Sequence, residues 1–176
     1  MTHLFRKTHF AALGSFLLLV LASGLAGQKT TDAPPVHPNF SGRWRMVREK
    51  SEFNGFKVPD VVIRVVDHHD PMINLHTIQT TGKQTTMSDV SYFTDNSVSM
   101  NTIKGRDAQC RAFWDGQALI VRTKMIMADG EHEVIEDRWE LSPDGRMLTT
   151  SSHIVTESGE ASLTLVCEKE SAAKGS

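Results

Sequence analysis

From Phe40 onward, apolar and polar residues alternate in short runs, and turn residues cut the runs at close intervals. A period of two marks a strand with one dry face and one wet face. The pattern is clearest from Arg111 to Leu148, RAFWDGQALIVRTKMIMADGEHEVIEDRWELSPDGRML. This stretch holds three Asp-Gly pairs, Asp115-Gly116, Asp129-Gly130 and Asp144-Gly145, 14 and 15 residues apart. Glycine adopts positive φ without a Cβ clash, so Asp-Gly between apolar runs signals a hairpin. Three pairs in step predict a meander of long antiparallel strands. Strands are expected at 42–47, 61–66, 72–80, 84–93, 97–103, 107–114, 117–127, 132–141, 146–156 and 161–168. No helical period is sustained.

Pairing the strands across their turns assigns the faces, because a slip of one residue turns every side chain over. A two-residue loop at Asp115-Gly116 pairs Ala112 with Leu119 and Cys110 with Val121. A three-residue loop at Ala128-Asp129-Gly130 pairs Val121 with Asp137 and Leu119 with Trp139. The turn at Asp144-Gly145 pairs Leu141 with Leu148 and Asp137 with Ser152. The turn at Ser158-Gly159 brings Ile154 to Leu163 and Ser152 to Leu165. One inner face results: Ala108, Cys110, Ala112, Trp114, Leu119, Val121, Thr123, Met125, Ile135, Asp137, Trp139, Leu141, Leu148, Thr150, Ser152, Ile154, Leu163, Leu165 and Cys167. Arg111, Arg122, Lys124, Glu136, Arg138, Glu140, His153 and Glu168 take the other face. A simple succession of such strands leaves two edges, and closure removes them. The expected fold is all-β, an antiparallel up-and-down β-barrel of eight to ten strands.

The chain before the barrel has a different pattern. In residues 1–26, Arg6 and Lys7 precede an uncharged apolar run from Phe10 to Leu21, followed by small residues up to Ala26. This is the layout of a signal peptide. The run is short for a bilayer span of about 20 residues, and no Cys follows it to carry a lipoprotein-type anchor. The expectation is a mature protein, secreted or periplasmic, with no stable membrane insertion after cleavage. Residues 27–39 are rich in Pro and Thr and read as a linker. Residues 40–170 form the barrel, and 171–176 a frayed tail.

Composition narrows the function classes. Among 176 residues, 19 Lys and Arg face 21 Asp and Glu, for a net charge of −2. This balance gives no reason to expect nucleic acid as a partner. The two cysteines, Cys110 and Cys167, both point inward but lie four strand spacings apart, about 19 Å at ~4.8 Å each. A disulfide needs Cα atoms within about 7 Å, so two buried free thiols are expected.

Gly42-Arg43-Trp44 on the first strand, followed by the long connection Glu49 to Pro59, resembles the G-x-W opening and lid loop of the lipocalins. The W-D-G and L-S-P-D-G turns are similar to those of secreted bacterial lipocalin-like domains, a calycin-type ligand-binding barrel. The chain departs from that pattern at Thr94-Asp95-Asn96, which matches the T-D-Y motif only in part, and in having no helix after the barrel. A count near ten strands would approach the fatty-acid-binding barrels, whose two-helix lid the 49–59 connection is too short to hold. The resemblance implies an extracytoplasmic binder of a small hydrophobic molecule.

Candidate ligand-binding residues follow from the inner face: Asp137, Trp139, Trp114, Met125, Ser152 and Thr150. Asp137 stands out, because a carboxylate in an apolar lumen is costly unless paired or neutralised. It would anchor a ligand head group, or be held by Ser152 and lumen water. Small inner residues such as Ala108, Ala112 and Ser152 favour a cavity, whereas the Trp and Met residues favour filling. The alternative is therefore a non-enzymatic envelope or surface interaction protein with a side-chain-filled barrel. Asp67-His68-His69-Asp70 is the densest group of possible metal ligands, but it reads as a solvated turn before Pro71. No metal and no cofactor are expected. No nucleophile with its base, and no carboxylate pair, stands out, so an enzyme is not expected.

Overall fold

The computed structural model describes residues 36–171. Ten antiparallel strands follow one another: β1 (Gly42–Met46), β2 (Val61–His69), β3 (Met72–Thr81), β4 (Gln84–Phe93), β5 (Asp95–Ile103), β6 (Arg106–Asp115), β7 (Ala118–Ile126), β8 (His132–Leu141), β9 (Met147–Thr156) and β10 (Gly159–Lys169). A single 3₁₀ turn, Arg48–Lys50, interrupts the connection from β1 to β2. The hydrogen-bonded order is β4-β3-β2-β1-β10-β9-β8-β7-β6-β5. The first and last strands therefore pair, and the meander curls into a nearly closed up-and-down barrel. The expected signal peptide, residues 1–26, lies outside the described residues, as do most of the expected linker and the tail beyond Ser171.

The seam lies between β4 and β5, which end the hydrogen-bonded order. One side chain spans it. Asn101 Oδ1 accepts the Ser91 N–H at 2.8 Å, and Asn101 Nδ2 donates to the Ser91 carbonyl at 3.0 Å. The Asn101 amide thus pairs with β4 as a backbone peptide would. A bulge between Asp95 and Val98 shifts the neighbouring β5–β6 register, and such bulges bend a strand.

Two registers match the expectation and two are corrected. Val121 faces Asp137, Leu119 faces Trp139, Asp137 faces Ser152 and Leu141 faces Leu148. In the β6–β7 hairpin, however, Ala112 faces Val121 and Cys110 faces Thr123. In β9–β10, Ile154 faces Ala161 and Ser152 faces Leu163. In both hairpins the loop lies one residue from the expected one, at Gly116-Gln117 and Glu157-Ser158, so each cross-strand partner moves by two residues. The displacement is an even number of residues, so every side chain keeps its face.

The interior is not uniform along the barrel axis. Trp44, Trp139, Leu119, Leu148, Val121 and Ile73 fill the half nearest the β2–β3, β6–β7 and β8–β9 turns, and all are fully buried. Residues 37–41 cap that end. Phe40 stacks on Trp114 at 5.9 Å between ring centroids and meets Trp139 edge-on at 5.7 Å. His37 stacks on Trp114 at 4.2 Å, and Trp44 Nε1 donates to the Phe40 carbonyl at 2.9 Å.

The same cap corrects the expectation for residues 67–70. β2 runs on to His69, three residues past the expected end, so the alternation carries His68 inward, where it is only 3% exposed. Its Nδ1 accepts the Phe40 N–H, and its Nε2 faces Asp70 Oδ1 at 2.9 Å. Thr94 Oγ1 donates to the same Asp70 oxygen at 2.8 Å. Burial pulls the Asp70 carboxyl up, but the His68 and Thr94 hydrogen bonds outweigh it and hold the group below its ordinary value. Cys110 and Cys167 are both buried and unbridged.

The G-x-W residues have separate structural reasons. Gly42 has φ of 148°, and a Cβ there would meet Lys169 Cε at 2.6 Å. Trp44 is buried at the capped end, with Lys169 Nζ 5.1 Å from its ring centroid. Such a cation over an indole face is attractive.

Candidate functional site

Above the filled half lies a cavity of about 450 Å³. Its walls come from five strands. Val62 and Arg64 project from β2, Thr77 and Gln79 from β3, Ile135 and Asp137 from β8, Ser152 and Ile154 from β9, and Leu163 and Leu165 from β10. Phe53, Phe56, Lys57 and Pro59 of the β1–β2 connection line the mouth, with Lys104 of the β5–β6 turn opposite. The connection is pinned to β10. Glu52 and Thr164 exchange both backbone hydrogen bonds, at 2.8 and 2.7 Å, and Ser51 Oγ accepts the Val166 N–H at 3.0 Å. Glu49 to Pro59 is thus an ordered cover with its phenylalanines turned toward the cavity.

The polar groups converge on one side of the wall. Ser152 Oγ donates to Asp137 Oδ1 at 2.5 Å. Arg64 Nη1 donates to Thr150 Oγ1 at 2.8 Å, two residues along β9 from Ser152. The guanidinium lies over the Trp139 ring, 5.7 Å from its centroid. Arg64 Nε and Trp139 Nε1 are both buried without a hydrogen-bond partner. Burial pushes the Asp137 carboxyl up, while the Ser152 bond and the Arg64 charge pull the other way without cancelling it. The Asp137 side chain keeps partial exposure because it opens onto the cavity. Tyr92, on β4, feels the same surroundings: burial and then the Asp137 charge raise its phenol far above the ordinary range.

The structure thus sorts the residues expected from sequence. Asp137 and Ser152 share the cavity wall and a hydrogen bond. Trp139 and Thr150 stand just below, each in contact with the Arg64 guanidinium. Trp114 is farther down, within the aromatic cap against His37 and Phe40. Met125 is buried in the core and is not on this wall.

Sequence reasoning missed Arg64. It sits inside the run Val61 to Val66, where apolar residues on both sides mark neither face. Its register is set by β1, since Trp44 pairs with Arg64 directly across the strands. The long 47–60 connection supplies no turn from which that pairing could be counted. The signal was the lone charge within the otherwise apolar run Val61 to Val66.

Neither a family model nor a curated protein matches the sequence. Solved structures do match the fold. A secretory abundant heat soluble protein from Ramazzottius varieornatus is similar at a TM-score of 0.54 and 13% identity, over 74% of this chain and 94% of that one. Lipid binding protein 8 from Caenorhabditis elegans is similar at 0.52 and 12%, over 74% and 95%. Zebrafish ileal bile acid-binding protein, solved with cholic acid, is similar at 0.52 and 12%, over 74% and 98%. These likenesses show the fold, a ten-stranded antiparallel barrel.

Proposed function

We propose that this protein binds a small hydrophobic molecule in the open half of its barrel. The observation that carries the reading is the cavity of about 450 Å³. Its walls are mostly apolar, Arg64, Asp137 and Ser152 share its polar part, and an ordered connection covers its mouth, which is how ligand pockets are generally built. The size falls within the ~300–1,000 Å³ range of small-molecule sites. The solved neighbours support the reading, since two of them are a lipid binding protein and a bile acid-binding protein. Asp137 and Ser152, with Arg64, hold the polar end of the ligand. The apolar part lies against Ile135, Ile154, Leu163 and the two phenylalanines of the cover. The role is binding and not catalysis.

The basic and apolar pattern of residues 1–26 supports a secreted or periplasmic location, and Gly42-Arg43-Trp44 supports a lipocalin-like assignment within the calycin-type barrels. The rival reading is an envelope or surface interaction protein whose barrel is filled by its own side chains. The aromatic cap and the packed lower half favour it for that half only.

A neutral, environment-sensitive dye such as Nile red discriminates the two. The dye is expected to brighten on binding, and Leu163→Trp, which fills the cavity, is expected to abolish the signal while leaving far-UV circular dichroism unchanged. No brightening with the wild-type protein, together with no small molecule released from gently purified protein in mass spectrometry, favours the rival.

A further inference from the structure

The lumen holds two opposite charges that do not touch. Arg64 is tied to Thr150 and Asp137 to Ser152, so each charge is held by its own β9 hydroxyl. No ion pair between them occurs among the described residues, although both line the same cavity. Among the described residues the guanidinium donates one hydrogen bond, from Nη1 to Thr150, and Ser152 supplies the one hydrogen bond found to the Asp137 side chain. The wall therefore offers an unused donor beside a carboxylate that has lone pairs to spare.

We infer that Asp137 makes this site selective for amphiphiles with an uncharged head, one that accepts from Arg64 and donates to Asp137, as a primary amide or an alcohol does. The inference rests on the lumen-binding reading above and adds to it the chemical class of the head. A carboxylate head would satisfy Arg64 but bring a second anion beside Asp137. Two anions sharing one cation in a poorly solvated site are held apart or take up a proton. A neutral head meets both groups without that conflict. The raised pKa of Asp137 agrees, since burial already disfavours its negative charge.

The other charged and titratable groups do not remove the conflict. Tyr92 faces the pair from β4 as a neutral phenol, and Cys167 is a buried thiol on β10 that burial keeps protonated. Lys57 and Lys104 stand at the mouth, both exposed. Salt screens exposed charges over about 8 Å at physiological ionic strength, whereas the lumen pair is shielded from it.

The test is displacement of Nile red from the full barrel by decanamide and by decanoate, at pH 8 and 0.15 M salt. Decanamide is expected to bind the wild-type protein at least about tenfold more tightly than decanoate, the scale of a charge conflict in a buried site. Asp137→Asn keeps the acceptor for Ser152 and removes the anion, so the preference is expected to collapse or reverse. A second measurement needs no substitution. Decanesulfonate keeps its charge at every pH used, and its binding to the wild-type protein is expected to tighten as pH is lowered from 8 and Asp137 takes up its proton. The same pH change is expected to leave decanamide binding unaltered. Wild-type affinity for decanoate equal to or tighter than that for decanamide, unchanged by Asp137→Asn, overturns the inference. Dye binding with that outcome leaves the lumen reading standing. No binding of dye or amphiphile removes the lumen reading and this inference together.

Discussion

Asp137 and Asp70 show how one residue type takes opposite acidities from its surroundings. Asp137 is raised above the ordinary carboxylate value by burial, so the folded protein binds its proton more tightly than the unfolded chain does. Its contribution therefore favours folding more strongly as pH falls toward the unfolded value of about 3.9. Asp70 is lowered, so its contribution is present above the unfolded value and is lost as pH falls through the folded one. Asp137→Asn mimics the protonated acid at every pH. The variant is expected to melt higher than the wild type at pH 8, with each 1 kcal/mol gained worth about 4 °C at this size. The difference should shrink as pH approaches 4. Thermal melts of both proteins from pH 8 to pH 4 check this, and a variant that melts lower at pH 8 shows that the Asp137 charge is favourable to the fold. Gly42 carries a second expectation at this scale. Its φ of 148° disfavours any Cβ, so Gly42→Ala should cost more than about 1 kcal/mol in denaturant unfolding.

At the scale of elements, the two places where the barrel closes depend on a few side chains. Across the β4–β5 seam, Asn101 supplies both partners of the Ser91 backbone. Asn101→Ala leaves a part-buried N–H and carbonyl unpaired, and is expected to cost about 1–3 kcal/mol. Amide exchange should quicken at Ser91 more than at its β3 partner Asn74. At the capped end, Phe40 fills the space between Trp114 and Trp139, and Phe40→Ala is expected to cost about 3–5 kcal/mol. The contrast between these closures explains what the sequence could reveal. The meander was legible because Asp-Gly and Ser-Gly turns lie between strands of clean alternation. Even a misplaced turn centre, as at Asp115-Gly116, moved the register by two residues and kept the faces. The wall formed by Asp137 and Ser152 was legible for the same reason. Arg64 was not, because its strand is apolar on both sides and joined to β1 through 14 residues that set no register. The cap was not legible either, since His37 to Asn39 carry no alternation and gain their place only through the aromatic rings they meet.

The described residues form a barrel of two unequal halves, and this asymmetry decides how far each sequence-based alternative holds. Filling by side chains describes the capped half, and the cavity describes the other. Local stability should follow the same division, because opening is easiest where buried apolar contacts are few. Amides in 119–121, 139–141 and 148–150, near the buried Trp139, Leu119 and Leu148, are expected to exchange only through global unfolding. Amides in 130–135, 154–163 and 49–59, around the cavity mouth, should exchange through smaller openings. An occupant that binds the folded barrel alone stabilises it by about 2.7 kcal/mol at a hundredfold excess over its Kd. If the occupant lies in the lumen, slowed exchange should appear first in the mouth segments and the connection over them. The capped half should slow only as far as global unfolding is made rarer. Hydrogen exchange followed by mass spectrometry, with and without decanamide, reads this directly. Protection gained at the β4–β5 seam or on outward-facing strand edges, with none at 49–59, would place the ligand on the outside of the barrel and leave the cavity of about 450 Å³ without a role in its binding.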